Sequence, residues 1–405
     1  MTVQATTPPP TTAARFRTRI TRLFDIEHPI LLGGLHHLGE SGIVAAVVNA
    51  GGMGFVTSRS FATLDAFRAD LRRCRELTAG KPFGVNLTIS RRPGFNRDVS
   101  AWIDIALEEG VRLFESAGSA PDEIVEPIHR GGGILLHKCP SVRHAVTAQR
   151  LGVDAIGLVG MEEGGHPGAN QLPSFVNAAY ALSRLTVPLV VGGGIGHGRQ
   201  IAAALAMGAD AVVMGSRFMV ASEIIAHEAL KRRIVELDEH GSMAILGTIG
   251  DTWRVMVNET AREVQRLEAA GARSHREFGD LILSTRTIER VYEGGNVEEG
   301  IVSLGPAAGF ADAIVPAADI VAQLMREALE AARGFRGKVE FGDRLDAGSA
   351  PGRGAHGRGG LMARYPKPAS RWWRSARIST RSRCSRTRYK ATYPEAPNEM
   401  TSSRN

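Results

Sequence analysis

Two apolar runs in this chain end in glycine, and the residues that follow are suited to hold an anion. Pro188–Val191 leads into Gly192, Gly193 and Gly194; after an alanine-rich helical stretch, Ala211–Met214 leads into Gly215 and Ser216. Neighbouring strands that end this way gather bare backbone N–H groups around one point. A phosphate needs that arrangement: close approach without a Cβ, and donors without a counter-charge. One such turn could merely tighten a helix start. Two in consecutive strand–helix units point to a phosphorylated cofactor, because the loops after strands 7 and 8 are the usual phosphate site of a (β/α)8 barrel. Upstream lies Met161-Glu162-Glu163-Gly164-Gly165-His166-Pro167-Gly168. A histidine among small residues just past a strand faces the barrel mouth, and a neutral imidazole can accept or return a proton there. His166 is therefore the candidate base, and Gly164 and Gly165 are candidate cofactor contacts.

Other residues offer weaker chemistry. Glu162 or Glu163 could act as a second carboxylate base, although a solvated or capping role is the simpler expectation. Asn86 in PFGVNL is either an amide donor and acceptor for a heterocycle edge or a turn-forming asparagine. Lys138 could add positive charge near a flavin ring or phosphate, or sit on the surface. Cys139 has no evident histidine partner and reads as structural. His36 and His37 follow the first strand and face the same mouth. No HxH, HExxH or carboxylate cluster suggests a metal.

The elements that must position these groups alternate. Strands are expected at Ile30–Gly33, Gly54–Thr57, Phe83–Leu87, Arg112–Glu115, Gly133–His137, Ala155–Val159, Leu189–Val191 and Ala211–Met214, with helical periodicity between them. Leu64–Leu77, Val99–Glu109 and Ser141–Leu151 are examples. Two units repeat their text, LGVDAIGLVG and MGADAVVMGS. Eight apolar strands separated by helices predict an α/β fold, a TIM-type (β/α)8 barrel spanning 18–222, with an open doubly wound sheet as the competitor. Residues 223–300 are charged and helix-rich and predict a helical lid beside the mouth. Residues 301–340 predict a segment packing back on the barrel through an amphipathic helix, Ala317–Arg333.

The composition of the 405 residues is uneven. The net charge of +7 comes from 341–405, where fourteen Lys/Arg face four Asp/Glu; residues 1–340 carry 35 basic and 38 acidic side chains. The barrel portion therefore gives no reason to expect nucleic acid or an anionic membrane surface. The Gly/Arg-rich tail, with Trp372, Trp373 and Tyr389, could stack on bases, but its lack of apolar periodicity predicts a disordered appendage. The Thr/Pro-rich residues 1–17 predict a second disordered segment without a secretory core. Cys74, Cys139 and Cys384 are too far apart for a disulfide framework. No run reaches about 18 apolar residues. A reducing, cytoplasmic setting is expected.

Together these stretches resemble the nitronate monooxygenase family, also called 2-nitropropane dioxygenases, which shares its fold with FMN-dependent enoyl-acyl-carrier-protein reductases. The resemblance runs from about Phe24 to Arg333. It is carried by SGIVAAVVNAGGMGFV, PFGVNL, GMEEGGHPG, PLVVGGGIGHGRQIAAALAMGADAVVMGSRF and VEEGIVSLGPAAG. It implies an FMN-containing barrel in which Asn86 and Lys138 contact the flavin, Gly193, Gly194, Gly215 and Ser216 bind its phosphate, and His166 is the catalytic base. The chain departs from the family pattern at Leu32-Gly33-Gly34-Leu35 with His36-His37 following, at Glu163, and at Gly305-Pro306. The implied reaction is oxidation of alkyl nitronates with O2 to a carbonyl compound and nitrite. The rival on the same fold is an NAD(P)H-dependent enoyl-thioester reductase. A flavin-free barrel binding nucleic acid through its tail is the rival of another class.

Overall fold

The computed structural model describes residues 14–168 and 171–339. The tail 341–405 and most of the N-terminal segment lie outside them. Eight parallel strands close into a barrel in sequence order: β1 (Ile30–Leu32), β2 (Met53–Thr57), β3 (Gly84–Ile89), β4 (Leu113–Gly118), β5 (Ile134–Cys139), β6 (Ala155–Val159), β7 (Leu189–Gly192) and β8 (Ala211–Met214). Closure is direct, since Leu31 pairs with Met53 on one side and with Val213 on the other. The open-sheet alternative is excluded.

The strands are buried on both faces, as parallel strands covered by helices must be. Leu31, Met53, Phe55, Leu113, Leu136, Val190 and Val213 fill the lumen, while residues of opposite parity such as Phe114, Leu135 and Cys139 pack under the helices. Phe55 occupies the space a Cβ on Gly84 would need, 2.2 Å from its ring, so that glycine admits the largest lumen side chain. A short helix, Arg19–Leu23, closes the floor: Ile20 and Phe24 join the lumen cluster, and Phe24 meets Phe55 edge-on at 6.4 Å. Arg19 fastens it to the barrel through Asp210 at 2.7 Å. Each buried aromatic or aliphatic side chain contributes about 1.5–3 kcal/mol, so the lumen plug holds the strand ends rigidly.

The segment after β8 corrects one expectation. It carries helices Glu228–Val235 and Glu259–Ala269, but also an antiparallel hairpin, β9 (Ser242–Ile245) and β10 (Trp253–Met256). The hairpin has its own small core with Val264, Phe278 and Ile301. It is stitched to the barrel rather than standing alone, with Gly165 bridging Arg254 and Val255 bridging Ser303. The last helix, Ala317–Arg336, packs on helices Gly198–Met207 and Ser41–Asn49. Gly198 permits that approach, as a Cβ there would lie 2.3 Å from the Leu324 carbonyl oxygen. No helix among the described residues is long and apolar enough to cross a membrane.

Candidate active site

The strand ends open into a cavity of about 580 Å3 at the C-terminal mouth of the barrel. Lys138, Gly164, Gly165, His166, Gly193, Gly194, Gly215 and Ser216 all line it, as do His36 and His37. Asn86 lies buried below the rim and donates to Glu115 Oε2 at 2.6 Å. The same oxygen accepts the Gly34 N–H at 2.9 Å. A Cβ on Gly34 would fall 2.2 Å from the Asn86 side chain, so the first loop can dip towards the lumen only through glycine. Glu115 is fully buried, and its Oε1 has no hydrogen-bond partner. An orphaned carboxylate oxygen beneath the mouth is an acceptor awaiting a donor.

Gly193 (φ 94°) and Gly194 (φ 71°) turn the chain after β7 through the left-handed region that favours glycine. Among the described residues, the N–H groups of Gly193, Gly194 and Gly215 donate to no backbone carbonyl. The adjacent helix start has its own partners. Gln200 Oε1 accepts from Gly196 and His197, Glu327 accepts from Gly198, and Gln200 Nε2 donates to the Gly194 carbonyl at 2.7 Å. The glycine turns, not the helix end, are thus left open to an anion. On the far side Ser216 Oγ accepts the Gly305 N–H at 2.9 Å and keeps its own proton to donate. Donor type and glycine geometry together fit a single phosphate.

The two glutamates after β6 separate. Glu162 caps the helix Ser174–Leu182, taking the Ser174 N–H at 3.0 Å and its hydroxyl at 2.9 Å, in line with the capping expectation. Glu163 is not a solvated side chain: it pairs with Lys138 at 3.1 Å. Burial works against the Lys138 ammonium, but the Glu163 and Glu115 carboxylates more than offset it and raise its pKa. Lys138 therefore presents a permanent positive charge to the cavity and is not a surface lysine. Cys139, next in sequence, points to the other face of β5; burial pushes its thiol up to about 12, so it holds no nucleophile.

His166 sits at the outer rim with its side chain 51% exposed. Its ring stacks on Trp253 at 5.0 Å between centroids, and Nε2 is 3.7 Å from Asp251 Oδ1. Burial lowers its pKa, Asp251 opposes that shift, and Arg92 and His275 add to it. The imidazole is consequently neutral at pH 7 and able to take a proton. His36 is held neutral more firmly, lowered to about 4 by burial and by the nearby His37 and Arg59. Among the described residues no group of three His, Cys, Asp or Glu could hold a metal ion.

Sequence reasoning missed Glu115, Gln200, Asp251, Trp253 and Arg254. Glu115 left one signal, an acidic residue inside an apolar strand. Gln200 left another, a side chain within reach of the glycine turn on the first helical coil. The hairpin residues lie about ninety positions from His166 and left none.

Comparison with known proteins bears on the fold and the family. A dehydrogenase from Mycobacterium tuberculosis, (3aS,4S,5R,7aS)-5-hydroxy-7a-methyl-1-oxo-octahydro-1H-indene-4-carboxyl-CoA dehydrogenase, is 26% identical over 353 residues, covering 78% of this chain and 97% of its own. A probable nitronate monooxygenase of Staphylococcus aureus is 25% identical over 291 residues, covering 62% and 81%. The structure of FabK from Thermotoga maritima superposes with a TM-score of 0.72 and 30% identity, covering 80% of this chain and all of that one. The family profile described as Nitronate monooxygenase matches residues 17–327, and the chain belongs to that family of oxidoreductases.

Proposed function

We propose that this protein is an FMN-dependent oxidoreductase that oxidises alkyl nitronates with O2, giving a carbonyl compound and nitrite. One observation carries the reading: a single cavity unites the open N–H donors at Gly193, Gly194 and Gly215 with the fixed cation of Lys138 and the neutral imidazole of His166. Gly193, Gly194, Gly215 and Ser216 hold the cofactor phosphate. Asn86 and Lys138 meet the ring, Asn86 with its amide oriented by Glu115, and Gly164 and Gly165 border it. Bound FMN supplies the electron acceptor that no side chain in the cavity provides, and O2 is the final oxidant. His166 takes the α-proton of a neutral nitroalkane or holds the anionic nitronate, a role for a base within reach of a carbon acid. The reaction needs a small-molecule substrate and O2 and no membrane, and we place it in the cytoplasm.

A second reading has a specific observation in its favour. The M. tuberculosis relative, matched along 97% of its length, is by name a dehydrogenase of a CoA thioester, and Arg92 lines the mouth with a mostly exposed guanidinium. On this reading the chain is an NAD(P)H-dependent enoyl-thioester reductase on the same scaffold. Anaerobic mixing separates the two: propyl-2-nitronate bleaches the flavin of a nitronate oxidase, and NADPH that of the reductase. A purified protein without flavin absorbance removes both.

A further inference from the structure

The lid hairpin grips the His166 loop at three points. Gly165 and Arg254 exchange both backbone hydrogen bonds, at 2.9 and 2.6 Å, and Arg254 Nε donates to the Met161 carbonyl at 2.7 Å. Trp253, the preceding residue, stacks on the imidazole and is itself fixed by Nε1 donating to Ser303 Oγ at 2.8 Å. Asp251, in the turn before β10, sets Oδ1 3.7 Å from His166 Nε2 and Oδ2 2.8 Å from His275 Nε2. Backbone, ring face and charge of the loop are thus all dictated by one short stretch of the lid. Such convergence exceeds what holding a loop in place requires, since the two Gly165–Arg254 bonds alone would anchor it.

We infer that Asp251 is a positioning residue for His166, a carboxylate shared between the mouth histidine and the solvent-side His275 that sets the proton affinity of the mouth imidazole. The inference rests on His166 acting as the base but is read independently of turnover. A carboxylate facing Nε2 favours the protonated ring that exists after proton abstraction, as an orienting aspartate does for other catalytic histidines. His275 competes for the same carboxylate, and its own cation opposes that of His166. The other groups facing the ring are Trp253, which carries no charge, and Arg92, whose guanidinium lies 3.9 Å from Asp251 Oδ2 and disfavours the imidazolium. The two partners therefore act with opposite sign.

The test is titration of the His166 ring in holoprotein labelled at its histidines, with H166N identifying the signal among the 12. Asp251→Asn is expected to lower the midpoint by about 0.5–1 pH unit, the effect of a unit charge at this separation even with the screening of water. Asp251→Glu restores most of the loss, and His275→Gln moves the midpoint upward. The acid limb of the kcat/KM profile follows in each variant. A midpoint unmoved in Asp251→Asn, or moved the same way in both variants, overturns the inference. If Asp251→Asn does not fold, Asp251→Ser takes its place with the same expected fall, because His275→Gln alone would raise the midpoint by removing a neighbouring cation. Shifted midpoints with an acid limb of kcat/KM that does not follow them uphold the role of Asp251 and remove His166 as base.

Discussion

Replacing Gly193 with alanine tests the phosphate turn with a single methyl group. At φ 94° an L-residue is strained by about 1–2 kcal/mol. The new Cβ would lie 2.8 Å from Ser174 Oγ and 3.1 Å from the backbone nitrogens of Gly160 and Glu163. Ser174 cannot yield freely, because its hydroxyl reaches Glu162 Oε2 at 2.9 Å and the Gly192 carbonyl at 2.8 Å. Displacing it forfeits a hydrogen bond of about 0.5–1.5 kcal/mol. A penalty of about 2–3 kcal/mol falling on the phosphate-competent turn weakens FMN binding about 30- to 150-fold. Gly271→Ala, outside the cavity, is the internal control: its φ of 105° is as unfavourable, yet a Cβ there meets nothing within 4 Å, so it carries the strain alone. Fluorescence titration of apoprotein with FMN reads both affinities, and thermal melts of the apoproteins separate binding from folding. Unchanged affinity in Gly193→Ala, or equal losses in the two variants, would refute the assignment of this turn.

Further outcomes follow from the same geometry. His166→Asn should retain FMN and lose about 10²–10⁴ in rate on neutral nitroalkanes while sparing preformed nitronates; equal small losses on both would make it a bystander. Gln200→Ala should raise the FMN dissociation constant several-fold, because one side chain ties Gly194, Gly196 and His197 together; equilibrium dialysis checks it, and an unaltered constant refutes the bracing role. The Arg72 guanidinium, with Arg68 adding and burial opposing, holds the Glu109 carboxyl below its usual range. Its stabilisation is therefore present above the ordinary carboxylate pKa and lost as pH falls through the depressed one. Glu109→Gln should flatten the acid side of a urea stability–pH curve, and an identical slope contradicts the pairing. Ending the chain after residue 340 should leave flavin content and turnover intact, since the barrel, hairpin and cavity all fall within 14–339; lost flavin refutes that boundary.

The barrel was legible because its signals are local. A parallel strand covered on both faces must be continuously apolar, and all eight expected runs coincide with strands to within a few residues at either end. Gly193 and Gly194 were legible for a related reason, as backbone that must turn left-handed leaves glycine in the text. The hairpin was not. Met243 and Val255 pair beside bridges from Arg254 to Gly165 and from Val255 to Ser303, partners distant in sequence, while the local text is dominated by the charged helices around them. Lys138 was ambiguous because its partner Glu163 belongs to another strand end. Glu115 left only the signal of an acidic residue in an apolar strand, because its importance lies in an oxygen left unsatisfied in the folded chain.

The Gly305 N–H bonded to Ser216 Oγ bridges 89 positions, and Gly164 lies so near it that a Cβ there would be 2.7 Å from the same nitrogen. The cavity wall is therefore finished by residues made long after the eighth strand has left the ribosome. A chain ending near residue 222 contains all eight strands but lacks the hairpin and this last stitch. Cofactor capture then belongs to the end of synthesis. If the proposed flavin site is right, bound flavin should first appear during translation once residue 305 has emerged, not when the barrel closes.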